Sequence, residues 1–200
     1  MVAVLNRGRL KVAARERLRV FGVLRFREYR LFWLGAVFSN LGIWALMAGR
    51  LWLMHRLTES PFMLGLLTIS GTGPILLLSM WGGVIADRVN RLRLMTFTRA
   101  MFAVLALLTA VLVALDVIRP WHLIAISLAT GVLLSFDIPS RQAILPNLVP
   151  REHLLHAIVL YSLIFGSAAI VGPSYFAPFV NLVGEEGLFF LVGGSYVLTV

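Results

Sequence analysis

The sequence predicts an all-α integral membrane protein with six spanning helices, and three observations carry that reading. Residues of the AVILMFWYC set make up 60% of the 200 residues and charged ones only 14%, against roughly 45–50% and about 25% in a soluble domain. So few polar groups could not cover the surface of a fold in water. The apolar residues also fall in long runs between short charged stretches, without the alternation that strands of a membrane barrel require.

Nine arginines and lysines, from Arg7 to Arg30, precede the first run and are mixed with Leu18, Val20, Phe21, Leu24 and Phe26. Residues 1–30 read as a cytoplasmic basic amphipathic segment on anionic headgroups. No apolar stretch follows it before Leu31, so it is not a cleavable signal. The first span, Leu31–Met54, holds one charge, Arg50; the second, Phe62–Ala86, holds none; the third, Leu94–Leu115, holds Arg99. The fourth, Trp121 to about Ile138, is shorter and ends with Asp137, the fifth runs from about Ala157 to Val180, and the sixth starts near Leu188. A helix needs ~17–25 apolar residues to cross a ~30 Å hydrocarbon core, which the first five supply. The sixth stops at Val200 after 13 residues, only ~20 Å at 1.5 Å per residue. A chain end inside hydrocarbon leaves carbonyls and a charge unsolvated, so the last helix reads as truncated and the chain as a piece of a longer one.

The basic residues set the orientation. The segments on the N-terminal side of the membrane carry 14 lysines and arginines, Arg141 and Arg151 among them, and the opposite side carries Arg56 and Arg119. The positive-inside rule then places the N-terminus in the cytoplasm and the protein in the cytoplasmic (inner) membrane. That topology also accounts for the net charge of +9 without nucleic acid as a partner.

Enzyme chemistry finds no support in these residues. There is no cysteine to serve as nucleophile or thiolate ligand. Glu152-His153 and His156 stand in the order E-H-x-x-H, not the H-E-x-x-H of a zinc protease helix, and read as interfacial residues opening the fifth span. His55 and His122 also sit near span ends. Gly71-Thr72-Gly73-Pro74 lacks the lysine of a phosphate loop and reads as a site of helix bending and close packing. The sequence calls for no cofactor and no metal.

One loop is specific. Gly83-Val84-Ile85-Ala86-Asp87-Arg88-Val89-Asn90-Arg91 resembles the G-x-x-x-D-R-x-x-R signature between the second and third helices of the major facilitator superfamily. Gly83 would permit close helix approach, and Asp87 would meet a positive helix N-terminus or a loop arginine such as Arg88 or Arg91. Other segments are similar to the drug-exporter and siderophore-exporter branch: Phe26 to Gly35, Ser39-Asn40-Leu41-Gly42 with Trp44, Leu57 to Pro61, and Pro139 to Val149. Gly172-Pro173 is similar to that family's antiporter motif. The resemblance covers residues 26–200 and implies the N-terminal six-helix half, residues 31–200, of a twelve-helix transporter whose C-terminal half is missing. It also implies a latch at the Asp87 loop, a bend at Gly172-Pro173, and export of a small molecule by alternating access, with proton coupling. Ile43, Gly166, Ala169, Phe176 and Ala177 depart from the branch and remove polar or small groups from mid-membrane, so the family's proton coupling does not simply carry over to this chain.

On a helix turning 100° per residue, Asn40, Ile43, Met47, Arg50 and Met54 share one face. An amide, two thioethers and a guanidinium on one stripe make Asn40, Met47, Arg50 and Met54 candidate cavity residues, since methionine surfaces adapt to varied ligands. Two readings of Arg50 stay open: a functional group facing the cavity, or a side chain that snorkels from near the outer end of the span. For Arg99 snorkelling to the cytoplasmic face is expected. Ser162, Gly166, Ala168 and Gly172 form small-xxx-small pairs that let helices touch. The function expected is a secondary transporter with a small amphipathic substrate, in partnership with the lipid bilayer and a second six-helix half. The alternative is a non-transporting six-helix scaffold.

Overall fold

The computed structural model describes residues 21–199; the side chains of Ala86, Asp87, 175–177, Phe179, Asn181, Val183, Glu185, Leu198 and Thr199 lie outside that description. The basic residues Arg7 to Arg19 therefore lie outside the described residues too. A short 3-10 turn, Gly22–Arg25, leads into α1 (Arg27–Thr58), α2 (Pro61–Arg88), α3 (Arg91–Ala114) and α4 (Pro120–Leu148). After a turn at Arg151–His153, one helix, Leu154–Thr199, is broken at Gly184, where φ is 77°. Its arms are α5 (154–183) and α6 (185–199). Five helices are long and apolar enough to cross a membrane, and a shorter apolar helix, Glu186–Val197, follows them.

The break reverses the chain. Gly172 and Tyr196, each twelve residues from Gly184, both meet α1 between Leu41 and Ala45, so α5 and α6 form a hairpin around α1. A left-handed residue at such a turn favours glycine, which has no Cβ to clash. The spans predicted from the sequence leave 181–187 as a loop; the structure closes the turn at a single residue, Gly184.

Two expected boundaries are corrected. Helix α1 begins at Arg27, so the last residues of the basic segment are already helical, and Val23 and Tyr29 are fully buried against Leu145, Val149, Ala157 and Leu160. The Tyr29 hydroxyl donates to the Ala157 carbonyl at 2.9 Å. The larger correction concerns the fourth span. It does not end at Asp137 but continues through Pro139 and Pro146 to Leu148, and Arg141, counted above as a loop charge, is buried inside it.

The prolines suggested a stop because each lacks a backbone donor. In a bundle, neighbouring groups can take over the freed carbonyl. Pro139 leaves the Ser135 carbonyl without its helical donor, and that carbonyl faces Gly82 of α2 so closely that a Cβ there would collide with it. One turn earlier on α4, a Cβ on Gly131 would run into the Gly71 carbonyl, and the Ser135 hydroxyl donates to the Pro74 carbonyl at 3.0 Å. The Gly71 to Pro74 stretch thus packs as expected. The close approach expected at Gly83 belongs instead to Gly82; a Cβ on Gly83 would meet open space among the described residues.

The apolar core draws on every helix but α5, with Leu46, Leu53 and Met54 of α1 against Phe102, Leu123 and Phe189. Met54 is fully buried there, which removes it from the candidate cavity residues.

Candidate functional site

A cavity of about 470 Å³ opens among the helices, lined mainly by α1, α2 and α4, with Phe102, Tyr161, Phe165 and Tyr196 closing it from the others. That volume falls within the ~300–1,000 Å³ of small-molecule sites. Asn40, Ile43, Met47 and Arg50 of the predicted α1 stripe all line it, one turn apart. From α2 come Thr68, Gly71 and Thr72, and from α4 Ser127, Thr130, Leu134, Asp137 and Arg141. The wall is largely apolar, with polar groups on the α1, α2 and α4 sides and its charged residues on α1 and α4.

Arg50 does not snorkel. Helix α1 runs on to Thr58, so Arg50 lies about 12 Å from its end by the helical rise, twice as deep as the apolar run alone suggests. Its side chain is 4% exposed, and Nη1 donates to Thr130 Oγ1 at 2.8 Å. The Thr130 hydroxyl hydrogen goes to the Ile126 carbonyl at 2.7 Å, which leaves its lone pairs for the guanidinium. Nε of Arg50 is buried without a hydrogen-bond partner. Among the described residues no carboxylate lies within ion-pairing distance of it. An arginine at mid-helix costs roughly 2.5–3.5 kcal/mol on insertion scales, and such a residue is a functional candidate by default.

Arg99 is also buried, at 6% exposed, and overturns the snorkelling expected for it. Its guanidinium packs beside Gly35 of α1, where a Cβ would lie 3.5 Å from Nη1.

A second polar cluster went unnoticed in the sequence. Asp137 and Arg141, one turn apart on α4, pair at 2.6 Å with 1% and 2% of their side chains exposed. The Thr98 hydroxyl of α3 reaches Asp137 Oδ1 at 2.8 Å. Arg141 Nη2 donates to Ser39 Oγ of α1 at 2.9 Å, and the Tyr196 hydroxyl of α6 donates to the Ser39 carbonyl at 2.8 Å. Four helices are clasped through one neutralised pair. Its signal in the sequence was an i, i+4 acid–base spacing inside an apolar stretch, which Pro139 disguised as a loop. Its net charge is zero, so it holds the bundle together without placing charge in the cavity. Arg50 is what gives the cavity its sign.

The loop residues separate. Arg91 Nη1 donates to the Ala143 carbonyl of α4 at 2.8 Å, and Asn90 caps α3 by accepting from the amides of Leu92 and Arg93. Arg88 is exposed at the end of α2. Asp87 falls in the last turn of α2, and its side chain is outside the described residues. On α5, Gly172 packs tightly on Trp44, where a Cβ would come within 2.6 Å of the Trp44 Cβ, while Pro173 is exposed. The small-residue stripe splits into two faces: Ala168 and Gly172 are buried, while Ser162 and Gly166 are exposed.

Comparison with known proteins agrees with this architecture. Residues 19–200 match the family described as transmembrane secretion effector. The chain is 31% identical over 135 residues to the staphyloferrin A transporter of Staphylococcus aureus (strain NCTC 8325 / PS 47), covering 67% of this chain and 34% of that protein. It is 26% identical over 162 residues to the MFS-type transporter YfiS of Bacillus subtilis (strain 168), covering 80% of this chain and 38% of that one. The chain therefore spans about a third of the length of the curated relatives it matches. No solved structure matches it significantly.

Proposed function

Since the chain belongs to the transmembrane secretion effector family of major facilitator (MFS) transporters, we propose that its six helices form the N-terminal half of an exporter for a small amphipathic molecule. The protein is a multi-pass membrane protein and not an enzyme. In our reading it sits in the cytoplasmic membrane with its N-terminus inside, as the lysine and arginine distribution favours; moving Arg141 into α4 leaves that bias in place. A second half would complete the cavity, and the two would rock about it in alternating access, driven by proton antiport.

The observation that carries the reading is the cavity itself: a chamber within the membrane-spanning bundle, apolar on most of its wall and polar at a few points, among them Asn40, Thr130 and Arg50. A siderophore-type cargo accords with the staphyloferrin A transporter among the relatives. The exposed Ser162 and Gly166 and the open Gly83 are the surfaces we assign to the second half. The test is uptake into everted vesicles bearing the full-length protein, against a panel of drugs and siderophores, with and without a protonophore. Accumulation of at least one compound that the protonophore abolishes is expected. No accumulation of any compound by folded protein would return the chain to the scaffold alternative.

A further inference from the structure

We propose that the cargo is an amphipathic carboxylate whose head is bound by Arg50 and whose apolar body fills the cavity between α1, α2 and α4. The inference rests on the reading of this cavity as the cargo site and adds the charge and class of what enters it.

Three observations lead there. Arg50 is more than nine-tenths buried and lines the cavity, yet among the described residues its hydrogen bond goes to the neutral Thr130 hydroxyl at 2.8 Å, and its buried Nε has no partner. The two other charged residues on the wall, Asp137 and Arg141, neutralise each other at 2.6 Å. The cavity therefore carries one unbalanced positive charge in a medium where an ion needs a counter-ion more than it does in water.

The chemistry of the counter-ion follows from the donor. A guanidinium presents paired N–H groups in a plane that matches two carboxylate oxygens. With Nη1 fixed on Thr130, the unpartnered Nε edge remains for such a pair. One positive charge balances one carboxylate. A phosphate monoester at neutral pH brings about −1.5 to −2 and would leave excess negative charge inside the bundle, and a cation would add to the existing one. The apolar wall then selects for a hydrophobic body on the acid.

Binding and transport are measured separately on the full-length protein. The probes are dansyl-aminoundecanoate, its trimethylammonium analogue and its phosphate monoester analogue, titrated by fluorescence anisotropy against protein in nanodiscs. The carboxylate is expected to bind most tightly, and Arg50→Gln to weaken it roughly 10- to 100-fold, the factor of a charge-assisted hydrogen bond, with little change for the trimethylammonium probe. Arg50→Lys should recover only part of the loss. If Arg50→Gln does not fold, Thr130→Val keeps the charge, frees the guanidinium from its ledge, and should weaken the carboxylate several-fold while sparing the cation.

Preference for the cation or the phosphate ester, or equal loss of all three probes, would overturn the inference. So would unchanged carboxylate binding in Arg50→Gln, which would make Arg50 a partner of protein groups alone. Failure of the transporter reading is distinct: carboxylate binding that depends on Arg50, with no protonophore-sensitive movement of any compound into vesicles.

Discussion

At the scale of single residues, burial and charge decide which side chains hold the bundle and which are left for a ligand. Breaking a buried ion pair on one side costs about 3–5 kcal/mol, whereas replacing both partners with apolar residues is often neutral. Asp137→Asn should therefore lower the melting temperature in detergent markedly, since it leaves the buried Arg141 with the neutral Ser39 hydroxyl in place of its counter-ion. The double change Asp137→Leu with Arg141→Met should melt closer to the parent; equal damage by both would mean that the pair is not the clasp. Asp87 makes the opposite prediction. At the end of α2 its solvation is cheap, so Asp87→Asn should leave expression intact and slow transport several-fold, the size of a lost helix-terminus interaction of ~0.3–2 kcal/mol. Transport assays at matched protein level decide it. The α1 stripe was legible from helical spacing alone, because Asn40, Met47 and Arg50 repeat at a helix period and all reach the cavity. Asp137 was not, because a charge closing an apolar run reads as the end of that run, and Arg99 was not, because a charge near a span end reads as a snorkelling side chain until its packing beside Gly35 of α1 is known.

At the scale of helices, packing depends on where a backbone comes close, and periodicity does not reveal which glycine is used. Gly82 and Gly83 are neighbours, yet only Gly82 meets α4. Gly131→Ala should force α2 and α4 apart at the Gly71 carbonyl and cost ~1–3 kcal/mol of overpacking, visible as a lower melting temperature or lost protein. Gly166→Ala, on an open face, should leave the melting temperature unchanged; a drop there would mean that this face is packed within the bundle. The existence of each span was plain from the length of its apolar run, since hydrocarbon allows few alternatives to a helix. The ends were less plain. The two prolines of α4 hid its last turns, because the carbonyl that Pro139 frees packs against Gly82 of α2, far away in sequence.

At the scale of the whole molecule, six apolar runs and one charged loop signature were enough to anticipate the family. The cavity could not be read in the same way, because its wall is assembled from residues up to 156 positions apart, Asn40 to Tyr196. The 200-residue chain expressed alone should neither transport nor stay monodisperse in detergent, and a second half supplied in trans should restore both; a monodisperse, active preparation of the chain alone would contradict the assignment of a second half. The central claim is that the cavity faces each side of the membrane in turn. This chain has no cysteine, so in the full-length protein with any cysteine of the second half replaced, Ser127→Cys on the α4 wall supplies a single reporter, and its labelling by a membrane-impermeant maleimide can be followed from either side of oriented vesicles. We expect labelling from both sides, with cargo protecting the thiol and an imposed cargo gradient shifting the side that reacts faster. Labelling from one side only, whatever the cargo and gradient, would contradict alternating access through this cavity.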